Sequence, residues 1–171
     1  IRDLETADIA IKASQTGHLV LSTLHTNDAP ATIIRLLNMG VEPFNVAASV
    51  HLIMAQRLIR RLCGTCRKPV EHPEEVLIRA GFPRSEDMEK LKLFGPGGCD
   101  ECTGGYKGRT GIFQVMPVSE AVTGLIIRNA GQDEIEQQTE TEGVMTLRQA
   151  GLIKVRSGLT SLDEVLRVTS S

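Results

Sequence analysis

The arrangement that constrains this chain most is Cys63-x2-Cys66, a gap of 32 residues, and Cys99-x2-Cys102; the chain has no other cysteine. Two residues between cysteines let a tight turn aim both sulfurs at one point. Two such turns brought together make a four-thiolate tetrahedral site of the kind zinc prefers. The surrounding glycines suit those turns: Gly64 inside the first pair, Gly97 and Gly98 before the second, Gly104 and Gly105 after it. They can take φ > 0 and let backbone N–H groups approach the sulfurs. Two disulfides, four unrelated thiols or a redox CxxC are the alternatives, and nothing in the chain suggests secretion, where structural disulfides belong. The gap exceeds the commoner spacing of about 15–20 residues, so the metal closes a long excursion rather than a minimal ribbon. Four thiolates leave no position open for water or substrate, which predicts a structural site.

With 171 residues, 41% of them hydrophobic and 23% charged, the chain is long enough to bury a real core in one domain or two small ones. A net charge of −2, a pI of about 6.1 and 3% aromatic residues give no overall case for a nucleic-acid surface. No apolar run approaches the length of a membrane span and no signal-peptide layout opens the chain, so the expected location is the cytoplasm. There is neither an internal repeat nor a low-complexity tract.

Along the chain, residues Glu5 to Thr16 favour a helix that Gly17 can close. His18 to Leu24 reads as a short buried strand ending at His25-Thr26-Asn27-Asp28, where Asn27 or Asp28 caps the next helix, Pro30 fits its first turn and Gly40 ends it. Strand, polar turn and helix form the unit of open α/β sheets, whose ligands sit beyond the carboxyl ends of the strands; His25 stands at that end. Apolar residues spaced by three or four then predict a helix over Pro43 to Leu62, with Arg57, Arg60 and Arg61 near its C-terminus favouring the macrodipole. A short helix is expected around Glu74–Ala80, followed by a break at Phe82-Pro83 and a charged stretch. The glycine-rich run 104–111 leads into a strand over 112–116. The last third is helical: 119–129 closed by Gly131, an exposed acidic helix over 133–142, and two helices opened by the capping boxes Thr146-x-x-Gln149 and Ser161-x-x-Glu164.

Taken together, these segments resemble the secretion ATPase superfamily, the hexameric motors of type II secretion and type IV pilus assembly. Ile1-Arg2-Asp3-Leu4-Glu5-Thr6-Ala7 is similar to the tail of that family's Walker B segment, whose glutamate would immediately precede Ile1. The stretch 17–27 is similar to its histidine box. The four cysteines followed by Gly-Tyr-Lys-Gly-Arg-Thr-Gly at 105–111 resemble the metal-binding insert of the secretion and pilus-extension members, and 160–165 resembles the family's C-terminal ending.

The resemblance implies an α/β fold: the C-terminal part of a RecA-like P-loop ATPase core with a tetracysteine zinc-binding insert and a helical C-terminal subdomain. The implied boundaries are 1–62 for the core, 63–111 for the insert and 112–171 for the helical part. It implies ATP and Mg2+ as ligands of the full-length protein and a structural Zn2+ on Cys63, Cys66, Cys99 and Cys102. Implied partners are a homo-hexamer and an inner-membrane platform protein, with membrane attachment only through partners. No nucleic acid is expected. It places His25 near the γ-phosphate, and Arg2, Asp3 and Glu5 beside the missing glutamate, where they would orient it or the magnesium-bound waters. For those three, simple helix N-terminal chemistry is the competing explanation. Lys107 and Arg109 could meet phosphate or a neighbouring subunit.

The chain departs from the family in one large respect. No Gly-x-x-x-x-Gly-Lys-Ser/Thr occurs in its 171 residues, so the loop that holds phosphates is absent and the chain alone is not expected to hydrolyse ATP. The rival function is a non-catalytic zinc-ribbon module that binds a protein or nucleic acid.

Overall fold

The helix caps chosen by short polar side chains settle most of the local structure. The computed structural model describes residues 1–84 and 91–170; most of the charged stretch expected after the Phe82-Pro83 break lies outside them. Helix α1 (Leu4–Gln15) starts where the Asp3 carboxylate accepts the Thr6 N–H at 2.9 Å, and it stops at Gly17, whose φ of 93° an L side chain resists. Helix α2 (Ala29–Asn38) is capped by Asp28, carries Pro30 in its first turn and ends at Gly40, φ 95°.

The expected helix over Pro43 to Leu62 is overturned. A short helix α3 (Pro43–Ser49) is followed by an 11-residue strand, β1 (Leu52–Leu62). Apolar residues at 50, 52, 53, 54, 58, 59 and 62 satisfy both a helical and an alternating pattern, and pairing with a distant strand decides between them. That partner is β4 (Tyr106–Pro117). The Cys63 N–H donates to the Gly105 carbonyl and the Val118 N–H to the His51 carbonyl, so the two strands run antiparallel. The strand expected over 112–116 is therefore longer and absorbs part of the glycine-rich run. His51, expected inside a helix, lies between α3 and β1. Arg57, Arg60 and Arg61 lie on a strand and meet no helix dipole.

The strand expected over 18–24 is not formed among the described residues. A continuous apolar run becomes a strand only when a neighbour supplies its ladder, and Leu19 and Leu21 are 88% and 87% exposed. Beyond β1, β2 (Lys68–Val70) pairs antiparallel with β3 (Leu93–Gly95), Pro69 opposite Phe94, and α4 (Glu74–Ala80) lies between them in sequence as expected. Then come α5 (Glu120–Ile127), α6 (Gln132–Thr141), α7 (Leu147–Arg156) and α8 (Leu162–Thr169). Asn129, with φ 55°, rather than Gly131 makes the left-handed turn after α5; Gly131 is the N-cap of α6.

The chain divides into two units: Ile1–Ala55 with Gln114–Val144, and Gln56–Phe113 with Met145–Ser171. In the first, Ala7, Ile11, Ile33, Leu36, Val46, Ile53, Met116, Val122, Ile126 and Ile135 form one buried apolar cluster, with α3 packed on α1 and α5 and α6 on α2 and α5. In the second, α7 crosses α8 at Gly151, where a Cβ would come within 2.5 Å of Val165. No described helix is long and apolar enough to cross a membrane.

Candidate metal centre

Each CxxC pair sits at the mouth of a strand. Cys63 follows directly on β1 and its N–H is held by the Gly105 carbonyl; the Arg67 N–H then closes the turn onto the Cys63 carbonyl at 3.0 Å. The second pair turns likewise, with the Cys102 N–H on the Cys99 carbonyl at 3.2 Å, just before β4. Gly97 lets the loops approach: a Cβ there would come within 1.9 Å of the Cys66 carbonyl oxygen. Gly98 donates its N–H to Cys66 Sγ at 3.1 Å. Gly97 thus acts by close approach and Gly98 by donation to sulfur, and Gly98, Gly104 and Gly105 take positive φ as expected; Gly64 does neither.

All four Sγ atoms lie within 4.8 Å of one another, with Cys63–Cys99 at 3.9 Å and both Cys66–Cys102 and Cys99–Cys102 at 3.6 Å. A disulfide needs about 2.05 Å, so all four thiols are free. A tetrahedron of thiolates about 2.3 Å from a central zinc has edges of roughly 3.8 Å, and the observed separations straddle that value. The donor set and its spacing fit a metal ion. The thiols are electrostatically unequal. The Thr65 N–H leads the backbone and thiol hydrogen bonds that bring Cys63 down to about 7. The Glu101 N–H pulls Cys99 the same way, but burial and the thiols of Cys102, Cys66 and Cys63 outweigh it and push Cys99 up to about 12. A cation held between the four sulfurs would replace the protons they share.

In the same unit, a buried carboxylate held by two half-exposed arginines forms a polar centre that sequence reasoning missed. Glu164, the fourth residue of the second capping box, accepts at one oxygen from the Arg60 N–H at 3.0 Å and from Arg167 Nη2 at 2.8 Å. At its other oxygen it accepts from Arg60 Nε and Nη2 and from Arg167 Nε. Burial penalises this carboxylate, yet the Arg60 and Arg167 donors hold it at about 2. Arg60 also lies over the Tyr106 ring, 4.1 Å from its centroid, and the Tyr106 hydroxyl meets Ser161 Oγ at 2.7 Å. Thr160 Oγ1 donates to the Arg60 carbonyl and Arg67 Nη1 to the Gly158 carbonyl. The start of α8 is thereby fastened to the strands that carry Cys63 and lead from Cys102. The Ser161 box is only half made, because Glu164 reaches Arg60 instead of its own cap; the Thr146–Gln149 box is complete. The available signal was Glu164 between Leu162 and Val165, an acid on the apolar face of a helix.

The remaining candidate residues lie in the first unit. Asp3 spends its carboxylate on Thr6, whose N–H and hydroxyl lower its pKa. Arg2 and Glu5 are exposed on either side. The Ile1 amine donates to the Thr23 carbonyl at 2.8 Å, so the first turn of α1 starts against the segment that leads to His25. His25 is exposed, three residues before the Asp28 cap of α2. His18 Nδ1 lies 3.2 Å from Thr16 Oγ1, a contact between near neighbours on the exposed surface.

The type II/IV secretion system protein family matches residues 1–167. A type IV pilus assembly ATPase, PilB of Pseudomonas aeruginosa, is 54% identical over 169 residues, covering 99% of this chain and 30% of that protein. The type II secretion system ATPase E of Vibrio cholerae is 47% identical over 170 residues, covering 99% of this chain and 33% of that protein. The chain thus spans about a third of the length of the relatives it matches. Among solved structures, the pilus retraction motor PilT with bound ADP aligns over 100% of this chain and 38% of that one, with a TM-score of 0.66 at 21% identity. The α/β fold is shared with that motor.

Proposed function

The chain belongs to the type II/IV secretion system protein family, and from that premise we propose that it is the C-terminal part of a hexameric cytoplasmic ATPase that powers type IV pilus assembly or type II secretion. The observation that carries this reading is the 54% identity to a pilus assembly ATPase across nearly the whole chain. In the complete protein, ATP with Mg2+ would be bound by the phosphate loop this chain does not contain. His25, exposed where the 18–26 segment meets the cap of α2, would report the γ-phosphate. Arg2 and Glu5 would line the approach to the magnesium waters, while Asp3 holds the first turn of α1 in place for them. Cys63, Cys66, Cys99 and Cys102 would hold a zinc ion whose role is structural, since its four positions are filled by sulfur. The insert it closes is a docking element for the platform protein at the inner membrane.

The test is ATP turnover by the complete protein, by the 171-residue chain and by the complete protein carrying His25→Ala. Turnover only by the intact protein, with the histidine variant reduced by about a hundredfold, is expected for a lost contact to developing phosphate charge. An inert complete protein would overturn the motor reading and leave a zinc-dependent binding module in its place.

A further inference from the structure

His25 stands in a turn, 25–28, that is fastened on both sides while its own side chain stays exposed. Before it, Leu24 packs against the apolar cluster of the first unit. After it, Thr26 Oγ1 meets Thr32 Oγ1 at 2.8 Å, and Thr32 Oγ1 donates to the Asp28 carbonyl at 3.2 Å. A hydroxyl has one proton, so with that of Thr32 committed to the carbonyl, Thr26 is the donor to Thr32. The Asp28 carboxylate accepts the Ala31 N–H at one oxygen and Gln132 Nε2, at 3.4 Å, at the other. The last fastening comes from much farther along the chain. Gln114, on β4 and only 4% exposed, accepts the Ala29 N–H at Oε1, 3.0 Å away and 85 residues distant in sequence.

These bonds use up the start of α2. Ala29 gives its amide to Gln114, Pro30 has none to give, and Ala31 gives its amide to Asp28. A helix start whose amides are spent offers little to a phosphate; it serves as a mount for the turn beside it. We propose that Gln114 and Thr32 are positioning residues for His25, holding its turn so that the imidazole meets the γ-phosphate while neither touches the nucleotide. This deepens the reading of His25 given above and rests on it. Gln114 has the larger part. Ala29 is fully buried, so without Oε1 its N–H has no acceptor, and the first turn of α2 must shift toward water, carrying residues 25–28 with it. What the site needs at position 114 is an acceptor oxygen rather than an amide. A carboxylate supplies one, and its charge is favoured at a helix N-terminus. Thr32→Val keeps the volume and removes the acceptor that Thr26 uses.

The test uses the complete protein carrying Gln114→Leu, Gln114→Glu or Thr32→Val, and Gln114→Leu combined with His25→Ala. Steady-state ATP turnover gives kcat and KM, and equilibrium binding of ADP and of the β,γ-imido analogue of ATP separates contacts to the γ-phosphate from the rest. All are measured at a temperature where melting curves show every variant folded. Gln114→Leu should lower kcat by about tenfold and weaken the analogue by a similar factor, with ADP binding unchanged, as misplacement of one phosphate-facing group requires. Thr32→Val should do the same to a smaller extent, about threefold, and Gln114→Glu should stay within about twofold of wild type. Added to His25→Ala, Gln114→Leu should cost nothing further, because it acts through that imidazole. Losses that multiply in the double variant, ADP weakened as much as the analogue, a Gln114→Glu protein as impaired as Gln114→Leu, or full turnover by Gln114→Leu would each overturn the proposal. His25→Ala alone keeps the two readings apart. A protein crippled by it yet indifferent to Gln114→Leu retains the histidine's role and loses the mount; one indifferent to His25→Ala loses both.

Discussion

The two units reach a stable interior with different materials. The first is an acidic assembly of five helices, three of them capped by Asp3, Asp28 and Ser119, around an apolar cluster that includes Ile33, Val46, Met116, Ile126 and Ile135. The second also buries apolar side chains, but its centre contains four thiols and a carboxylate held by two guanidiniums. Apolar burial is non-directional and tolerates loss of one member in proportion to the volume removed. Thiolate and carboxylate sites are directional, and removing one group leaves the others without the partner they are arranged around. The first unit should therefore weaken by degrees and the second by failure at a point.

The largest expected effect is at the proposed metal site. Structural zinc contributes about 10–16 kcal/mol of apparent binding free energy in small domains, enough to decide whether its loops fold at all. Chelation, or Cys63→Ser, should abolish hydrogen-exchange protection between the cysteine pairs and at β2 and β3, while α1, α2 and α5 keep theirs. One zinc per chain, tightly retained by the variant, would break the contrast between the units. A conventional core deletion is the counterpart. Ile126→Ala should lower stability by about 2–5 kcal/mol, the range for buried aliphatic truncation, and leave metal affinity unchanged.

The third test sharpens the contrast by pH. Glu164 has its folded pKa held near 2, below the ordinary 4.5. A depressed carboxylate contributes its stability above its unfolded pKa and loses it as pH falls through the folded value, so the window runs from about 4.5 down to about 2. The shift corresponds to about 3 kcal/mol at neutral pH. Glu164→Gln should cost about that much at pH 7, with the gap to wild type closing across the window. The cysteine cluster is common to both proteins, which is why the difference between them is the quantity to read. A gap that stays constant down to pH 2 would mean that Glu164 is held by shape and not by charge.

These effects track what could be read from the chain beforehand. Features made by neighbours in sequence were legible: the turns at the two cysteine pairs, α4, the Thr146 box, and Asp28 with Pro30 at the start of α2. Features made across long separations were not. Residues 52–62 satisfied two periods at once, and only β4, more than forty residues on, made them a strand. Glu164 looked like half of a local capping box because Arg60 stands 104 residues away. The 18–24 run looked like a strand because its composition suits one, yet composition cannot supply the ladder. The meeting of the four cysteines was the exception among distant features, since two identical donor pairs point to one place whatever lies between them.

The smallest effect tests whether the first unit is as local in its energetics as it was in its legibility. Asp28 accepts the Ala31 N–H at 2.8 Å, and the next amide, Ala29, is taken by the buried Gln114 Oε1 at 3.0 Å. The N-terminus of α2 is thus capped twice, once from its own sequence and once from β4. Asp28→Ala should cost about 1 kcal/mol, the usual loss for an N-cap carboxylate, because Gln114 still holds one amide. Gln114→Leu should cost more, since it leaves the Ala29 N–H buried without an acceptor, at about 1–3 kcal/mol. Thermal denaturation of the two single variants and the double gives the coupling. Losses that add would mean the two caps act on separate amides, as the geometry has it. A double variant far worse than the sum would mean that each cap rescues the other, and that even the helical unit depends on a distant strand for its ends.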